Sequence, residues 1–424
     1  MPQVHRRFKK DRTESGGIMS LDKQVYLDYA ATSPVKKEVL DAMLPYLTEK
    51  FGNPSSLHSW GQESRQAVDD SRRLIAKFLN VKEKEIIFTS GGTESDNMAI
   101  RGIIIGLGAR LKKEAAPMHI ITSQIEHHAV LRTCQYLEKN GLAEVTYLKP
   151  NLDGIIDQNK VKEAIKENTA LVSIMYVNNE IGAVQPIREI GKMIESENRK
   201  RTIRETRIYF HTDAVQATEY QEMNVEYLHV DLLSFSGHKI GAPKGVGVLY
   251  KKENLPFQKM IFGGEQEMNL RAGTENVAGI AAIAKAIEIL QENKAEKVEA
   301  VNKMRNYFIE KIEKEISDIE LNGSRELRSP NNINFYFKYI EGESILLNLD
   351  LVGIAASSGS ACTSQSLEPS HVLVSVYDNP ERAHGSIRFT IGEKTTNEEI
   401  DYSVEKIKEI VEKLRAMSPL VPEK

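Results

Sequence analysis

Short apolar runs alternate with helix-period stretches along most of the chain. Strand-like runs lie at Glu85 to Thr89, His119 to Ser123, Glu144 to Leu148, Ala170 to Tyr176, Ile208 to His211, Leu232 to Phe235 and Gly247 to Tyr250. Between them fall apolar positions with helical spacing, as in Ala129 to Lys139 and Ile187 to Glu197. This alternation predicts an α/β fold, with a large domain built on a mostly parallel sheet flanked by helices. Beyond Asn276 the pattern becomes one long, charged helical stretch, Val277 to Ile316, too long for an average helix and expected to break or kink. Short strands and helices follow, so the expected division is a flexible extension over residues 1–24, a large domain over 25–276 and a smaller α+β domain over 277–424. The first segment of the large domain is placed with either unit.

Composition narrows the function classes. A chain of 424 residues with 41% hydrophobic content has material for two domains and a large core. A net charge of −4 offers no footprint for nucleic acid. No apolar run is long enough to span a bilayer; the best candidate, Ile100 to Leu107, is short and interrupted by Arg101. Residues 1–17 carry five basic and two acidic side chains, which fits a disordered start better than a transit peptide. Only two cysteines, with no secretory pattern, point to a reducing compartment, the cytoplasm before an organelle, and exclude a disulfide framework or a multi-cysteine metal site.

Candidate chemistry gathers where the strand-like runs end, the edge at which open α/β sheets bind ligands. Lys239 closes Leu232-Leu233-Ser234-Phe235-Ser236-Gly237-His238-Lys239, and an amine beside an apolar run and a histidine is suited to Schiff-base chemistry. Such a lysine alone is more often a solvated strand end. Ser90-Gly91-Gly92-Thr93-Glu94-Ser95-Asp96 reads as a turn into a helix whose N–H groups would receive an anion, with Thr93 and Asp96 at capping-box spacing. Asp213 ends an apolar strand, where it suits either a pyridine nitrogen or a turn. His127 follows another strand, placed to stack on an aromatic ring or simply to start a helix. Ser357 to Ser366 is a run of small residues around Cys362, expected to present an accessible thiol, whereas Cys134 sits in a helical pattern and reads as a packed core thiol.

Taken together, Ser236-Gly237-His238-Lys239, Val177-Asn178-Asn179-Glu180-Ile181-Gly182, Arg271-Ala272-Gly273-Thr274 and Ser358-Gly359-Ser360-Ala361-Cys362-Thr363-Ser364 resemble the cysteine desulfurases of the NifS/IscS type. That family has the aspartate aminotransferase-like fold of pyridoxal phosphate enzymes, and the resemblance runs from Val25 to about Tyr402. It implies that Lys239 carries the cofactor and moves the substrate α-proton, that His127 stacks on the ring, and that Asp213 pairs with the pyridine nitrogen. Gln216 would reach the phenolic oxygen and Asn179 would lie beside ring and substrate. Gly92, Thr93, Ser236 and His238 would hold the phosphate, with Thr274 reaching the cofactor of a neighbouring subunit in a homodimer. Arg388 would clamp the carboxylate of L-cysteine, and Cys362 would take the sulfur as a persulfide, leaving alanine, before passing it to an iron–sulfur scaffold or another acceptor. No metal, membrane or nucleic acid is implied. The competing readings are a selenocysteine lyase or a cysteine-independent lyase of the same fold, and a cofactor-free assembly protein that has kept the fold and lost activity. Gly92 stands where the family commonly has alanine, and Ile240-Gly241-Ala242-Pro243 also departs from it.

Overall fold

The computed structural model describes residues 23–110, 117–201, 207–358 and 369–421. Nearly all of the expected N-terminal extension, residues 202–206 and Cys362 with most of its small-residue run lie outside the described residues. In chain order the strands are β1 (Val25–Tyr26), β2 (Ile86–Thr89), β3 (Met118–Ser123), β4 (Ala143–Leu148), β5 (Thr169–Ser173), β6 (Tyr209–Asp213), β7 (Leu232–Ser236), β8 (Gly247–Lys251), β9 (Ile319–Leu321), β10 (Asn332–Phe337), β11 (Ile354–Ala355) and β12 (Ser386–Thr390).

The strand-like runs become one seven-stranded sheet in the order β2-β8-β7-β6-β5-β3-β4. Only β8 runs against its neighbours; the remaining pairings are parallel. Every residue of β2, β5, β6, β7 and β8 is buried, which is why these strands read as continuous apolar runs: helices cover both faces. One face packs on helices that include Ser59–Leu79 and Ile187–Lys200, the other on Gly92–Arg110 and His128–Lys139. Cys134 lies fully buried in the second of these cores, as its helical pattern implied.

The long helical stretch after Asn276 is two helices, Val277–Gln291 and Lys294–Glu315, broken where Asn293 takes a left-handed conformation. Their surroundings differ. Val277–Gln291 is apolar and small on nearly every side and lies in the core of the large sheet, against helix Ser59–Leu79. The charged half, Lys294–Glu315, buries Val301, Phe308, Ile309 and Ile312 against the antiparallel sheet β12-β10-β9 and helix Asn397–Met417. Val25 and Leu27 belong to this second cluster, because β1 pairs in parallel with β11. The chain therefore crosses between the two cores over Asp28 to Ser33, a crossing that builds part of the site below.

Candidate active site

Five strands of the large sheet end at one cavity of about 320 Å³. The turn after β2 brings Gly92, Thr93 and Asp96; that after β3 brings His127 and His128; that after β5 brings Met175 and Asn179. β6 ends in Asp213, followed by Val215 and Gln216, and β7 ends in Ser236, followed by His238 and Lys239. The crossing segment closes one side: Lys239 Nζ donates to Ala30 O at 2.5 Å and Ala31 O at 2.8 Å, and Gln216 Nε2 donates to Ala30 O at 3.0 Å. His238 Nδ1 lies 3.3 Å from Thr32 Oγ1, and burial pushes its pKa down to about 4.

The anion cup is the start of helix Gly92–Arg110. Its first intrahelical bond runs from Ser95 N–H to Gly91 O, so the N–H groups before it have no partner within the helix. The expected Thr93–Asp96 capping box is absent. Glu94 fills that role, its Oε2 accepting from Ser90 N–H at 2.7 Å while Oε1 accepts from Arg271 Nε at 2.9 Å, and Asp96 points inward, 1% exposed. A capping acid must reach back outside the first turn, whereas Asp96 sits on the face that packs on the sheet. Gly92 is closely approached: a Cβ there would fall 2.7 Å from Val215 Cγ2, so alanine would need Val215, which lines the cavity, to shift.

Imidazoles and carboxylates share the floor. His127 caps helix His128–Lys139, its Nδ1 accepting from Ala129 N–H at 3.1 Å; the neutral ring therefore carries its proton on Nε2. Burial, with Lys239, His128 and His371 nearby, pushes its pKa down to about 4. Asp213 accepts from Val215 N–H at 2.9 Å, and burial raises its pKa against the opposing pull of that bond and of Lys239. Burial thus disfavours the charged form of Asp213, and a neighbouring cation would favour it.

At the outer side, Arg388 of β12 donates to Asn179 O at 2.8 Å and to Asp28 Oδ1 at 2.7 Å, leaving Nε buried without a partner among the described residues. Asn179 is presented by Asn178, whose Oδ1 accepts from Glu180 and Ile181 N–H, both at 2.9 Å. The turn needs Gly182, which has φ +70° and stands where a Cβ would come within 2.6 Å of Asn332. Both described flanks of the Cys362-bearing segment meet this wall: Ser357 and Arg388 exchange backbone hydrogen bonds, and His371 lines the cavity with its Nε2 donating to Glu126 O at 2.9 Å. Thr274 is exposed and lies outside the cavity of its own chain.

The donor set fits pyridoxal phosphate. It has a primary amine for the aldehyde, a buried carboxylate for a pyridinium, an imidazole beside the ring position and a helix start with Thr93, Ser236 and His238 for the phosphate. Sequence reasoning assigned Asp96 only a capping role and assigned none to Asp28, Glu126, His128 and His371. Glu126 and His128 flank His127 in the same segment, whereas Asp28 and His371 reach the site through tertiary packing.

The aminotransferase class-V family matches residues 25–402. Cysteine desulfurase IscS of Dictyoglomus turgidum is 52% identical over 399 residues, covering 94% of this chain and 97% of the relative. Cysteine desulfurase IscS of Methanosarcina thermophila is 47% identical over 409 residues, covering 96% and 97%. Among solved structures, a NifS-like protein superposes with a TM-score of 0.83 at 34% identity, over 92% of this chain and all of the other. SspA in complex with cysteine gives 0.75 at 35% identity, over 88% of this chain and 100% of that one.

Proposed function

The chain belongs to the class V aminotransferase family and is a pyridoxal phosphate-dependent cysteine desulfurase, and we propose that it moves sulfur from L-cysteine to Cys362 and releases L-alanine. The observation that carries this reading is the convergence of Lys239, Asp213, His127 and the Gly92–Thr93 helix start on one cavity bordered by both flanks of the Cys362 segment. The overall change balances without an external oxidant: the Cβ–S bond of L-cysteine breaks, an S–S bond forms on Cys362, and the thiol proton given up by Cys362 is matched by one gained on the alanine carbon.

When bound, the cofactor supplies an electron sink for the carbanion left at the substrate α-carbon. Asp213 supplies the negative charge that keeps the pyridine nitrogen protonated. Lys239 Nζ, oriented by Ala30 O and Ala31 O, takes and returns the α-proton. His127 stays neutral near pH 7, so its Nε2–H is a donor that adds no positive charge to the ring. Arg388, held by Asp28 and Asn179 at the cavity wall, would clamp the substrate carboxylate with its guanidinium. Thr274, exposed at the surface, suits a homodimer in which each subunit completes the other's phosphate cup. The acceptor is an iron–sulfur scaffold or another sulfur-accepting protein, and the site of action is the cytoplasm. No helix among the described residues is long and apolar enough to cross a membrane.

The test is to load the protein with pyridoxal phosphate, add L-cysteine, and measure alanine and protein-bound sulfane sulfur together. Equal yields are expected. Lys239→Ala should lose both products and the visible absorbance of the bound cofactor while remaining folded. Cys362→Ala should keep the absorbance and lose both products, whereas Cys134→Ala should keep both. Alanine formed at wild-type rate by Cys362→Ala would mean direct elimination of sulfur and assign the chain to the lyases.

A further inference from the structure

Beneath the cavity two carboxylates are buried side by side. A carboxylate oxygen of Asp96, one of Asp213 and a ring nitrogen of His127 all lie within 4.8 Å of one another. Asp96 is 1% exposed and Asp213 5%. Asp96 comes from the helix that also forms the anion cup, so it approaches Asp213 from across the sheet end. Its Oδ1 has no hydrogen-bond partner among the described residues, lying 3.6 Å from His211 Nε2, which is already 3.1 Å from Ser234 Oγ.

We propose that Asp96 is a positioning residue that holds a proton at working pH, so that Asp213 remains the single negative charge under the cofactor. This rests on the pyridoxal phosphate reading. A pyridinium neutralises one carboxylate. A second ionised carboxylate at this separation, with no cation of its own, would be uncompensated in a dry site. The groups facing Asp96 supply no such cation. His211 is entirely buried and pushed down to about 3, His127 is pushed down to about 4, and Glu126, on the turn after β3, is itself pushed up to about 8 by burial. The one amine, Lys239, acts on Asp213. Burial first, then the charge of Asp213, raises Asp96 well above the usual carboxylate range, against the opposing pull of a hydrogen bond from Ser234.

Two substitutions separate a held proton from a second charge. Asp96→Asn keeps the shape while removing any ionised form; Asp96→Ala removes the carboxyl altogether. In the cofactor-loaded protein, the acid limb of the pH titration of the visible band reports the proton affinity of Asp213 and the ring nitrogen. With Asp96 protonated, Asp96→Asn and Asp96→Ala both replace a neutral group and should leave that midpoint in place. If Asp96 were ionised, Asp96→Asn would remove a neighbouring negative charge and move the midpoint down, which overturns the proposal. A second measurement does not depend on the cofactor: the infrared difference between wild type and Asp96→Asn near neutral pH should contain the carbonyl band of a protonated carboxyl, and a carboxylate band there would also overturn it. Failure of the wild type to take up pyridoxal phosphate would instead refute the cofactor reading and leave the infrared result standing on its own.

Discussion

Removing one buried arginine should destabilise the fold and loosen the Arg271–Thr274 turn together. Arg72 Nη1 and Nη2 grip Glu267 Oε2 and Oε1 at 2.8 and 2.7 Å, and the two side chains are 10% and 2% exposed. Arg72 also donates to Ile86 O at 2.6 Å, and Glu267 accepts from Phe88 N–H at 2.9 Å. Glu267 begins a run of three non-glycine residues in the left-handed region, with φ of 46° at Glu267, 56° at Met268 and 61° at Asn269. Left-handed backbone costs roughly 1–2 kcal/mol per residue, so the run stores about 3–6 kcal/mol that tertiary contacts must offset. Arg72→Met strands a buried carboxylate, which costs about 3–5 kcal/mol and is of the same size as that strain. The double substitution Arg72→Met, Glu267→Leu removes both charges and leaves the Phe88 N–H and the Ile86 carbonyl unmet, about 1–3 kcal/mol each, and the second of these is lost in Arg72→Met as well. Equilibrium urea unfolding of wild type, both single variants and the double variant should therefore give two costly single changes and a milder double change. Because the strained run leads directly into Arg271, the Arg72→Met protein should also retain cofactor less well than the double variant. A cost below about 1 kcal/mol for Arg72→Met, or a double variant no more stable than the single, would refute the reasoning.

Glu126 is pushed up to about 8 by burial, so its protonated form is favoured in the folded state: its contribution is fully present below the unfolded value near 4.5 and is lost as pH rises through 8. Glu126→Gln, which keeps an acceptor for Ser123 Oγ and Met175 N–H, should make stability fall less between pH 6 and 9, and an unchanged slope in urea unfolding would contradict this. His127, His211 and His238 are held neutral by burial, so stability should decline as pH falls from about 6.5 toward 4, where only the unfolded chain takes up protons. Gly92→Ala should weaken cofactor affinity by displacing Val215, measured by equilibrium dialysis of pyridoxal phosphate; affinity equal to wild type would show that Val215 moves freely. Sedimentation should find a dimer, with cofactor retention falling on dilution into monomer, and full activity of a monomer would remove the shared-cup arrangement.

Much of the fold was readable because a sheet buried on both faces leaves continuous apolar runs, and each of the seven runs became a strand of one sheet. Lys239, Asp213, His127 and the Gly92–Thr93 turn were also readable, since each directly follows or ends such a run and the strands deliver their ends to one edge. What local pattern could not decide is which side chains meet across that edge. The Thr93–Asp96 spacing suggested a cap, but helix packing turned Asp96 inward beside Asp213 and left capping to Glu94. The uniform helical period after Asn276 concealed that Val277–Gln291 and Lys294–Glu315 serve different cores, because period reports a buried face and not the partner that covers it. Asp28 and Arg388 are 360 residues apart, yet bonded through the crossing of the chain between those cores. Sequence thus determined the elements and the nucleophilic and acidic groups at their ends. Only the tertiary structure decided which charges share a buried space, and so which of them must remain neutral, because desolvation and pairing depend on neighbours that no local spacing encodes.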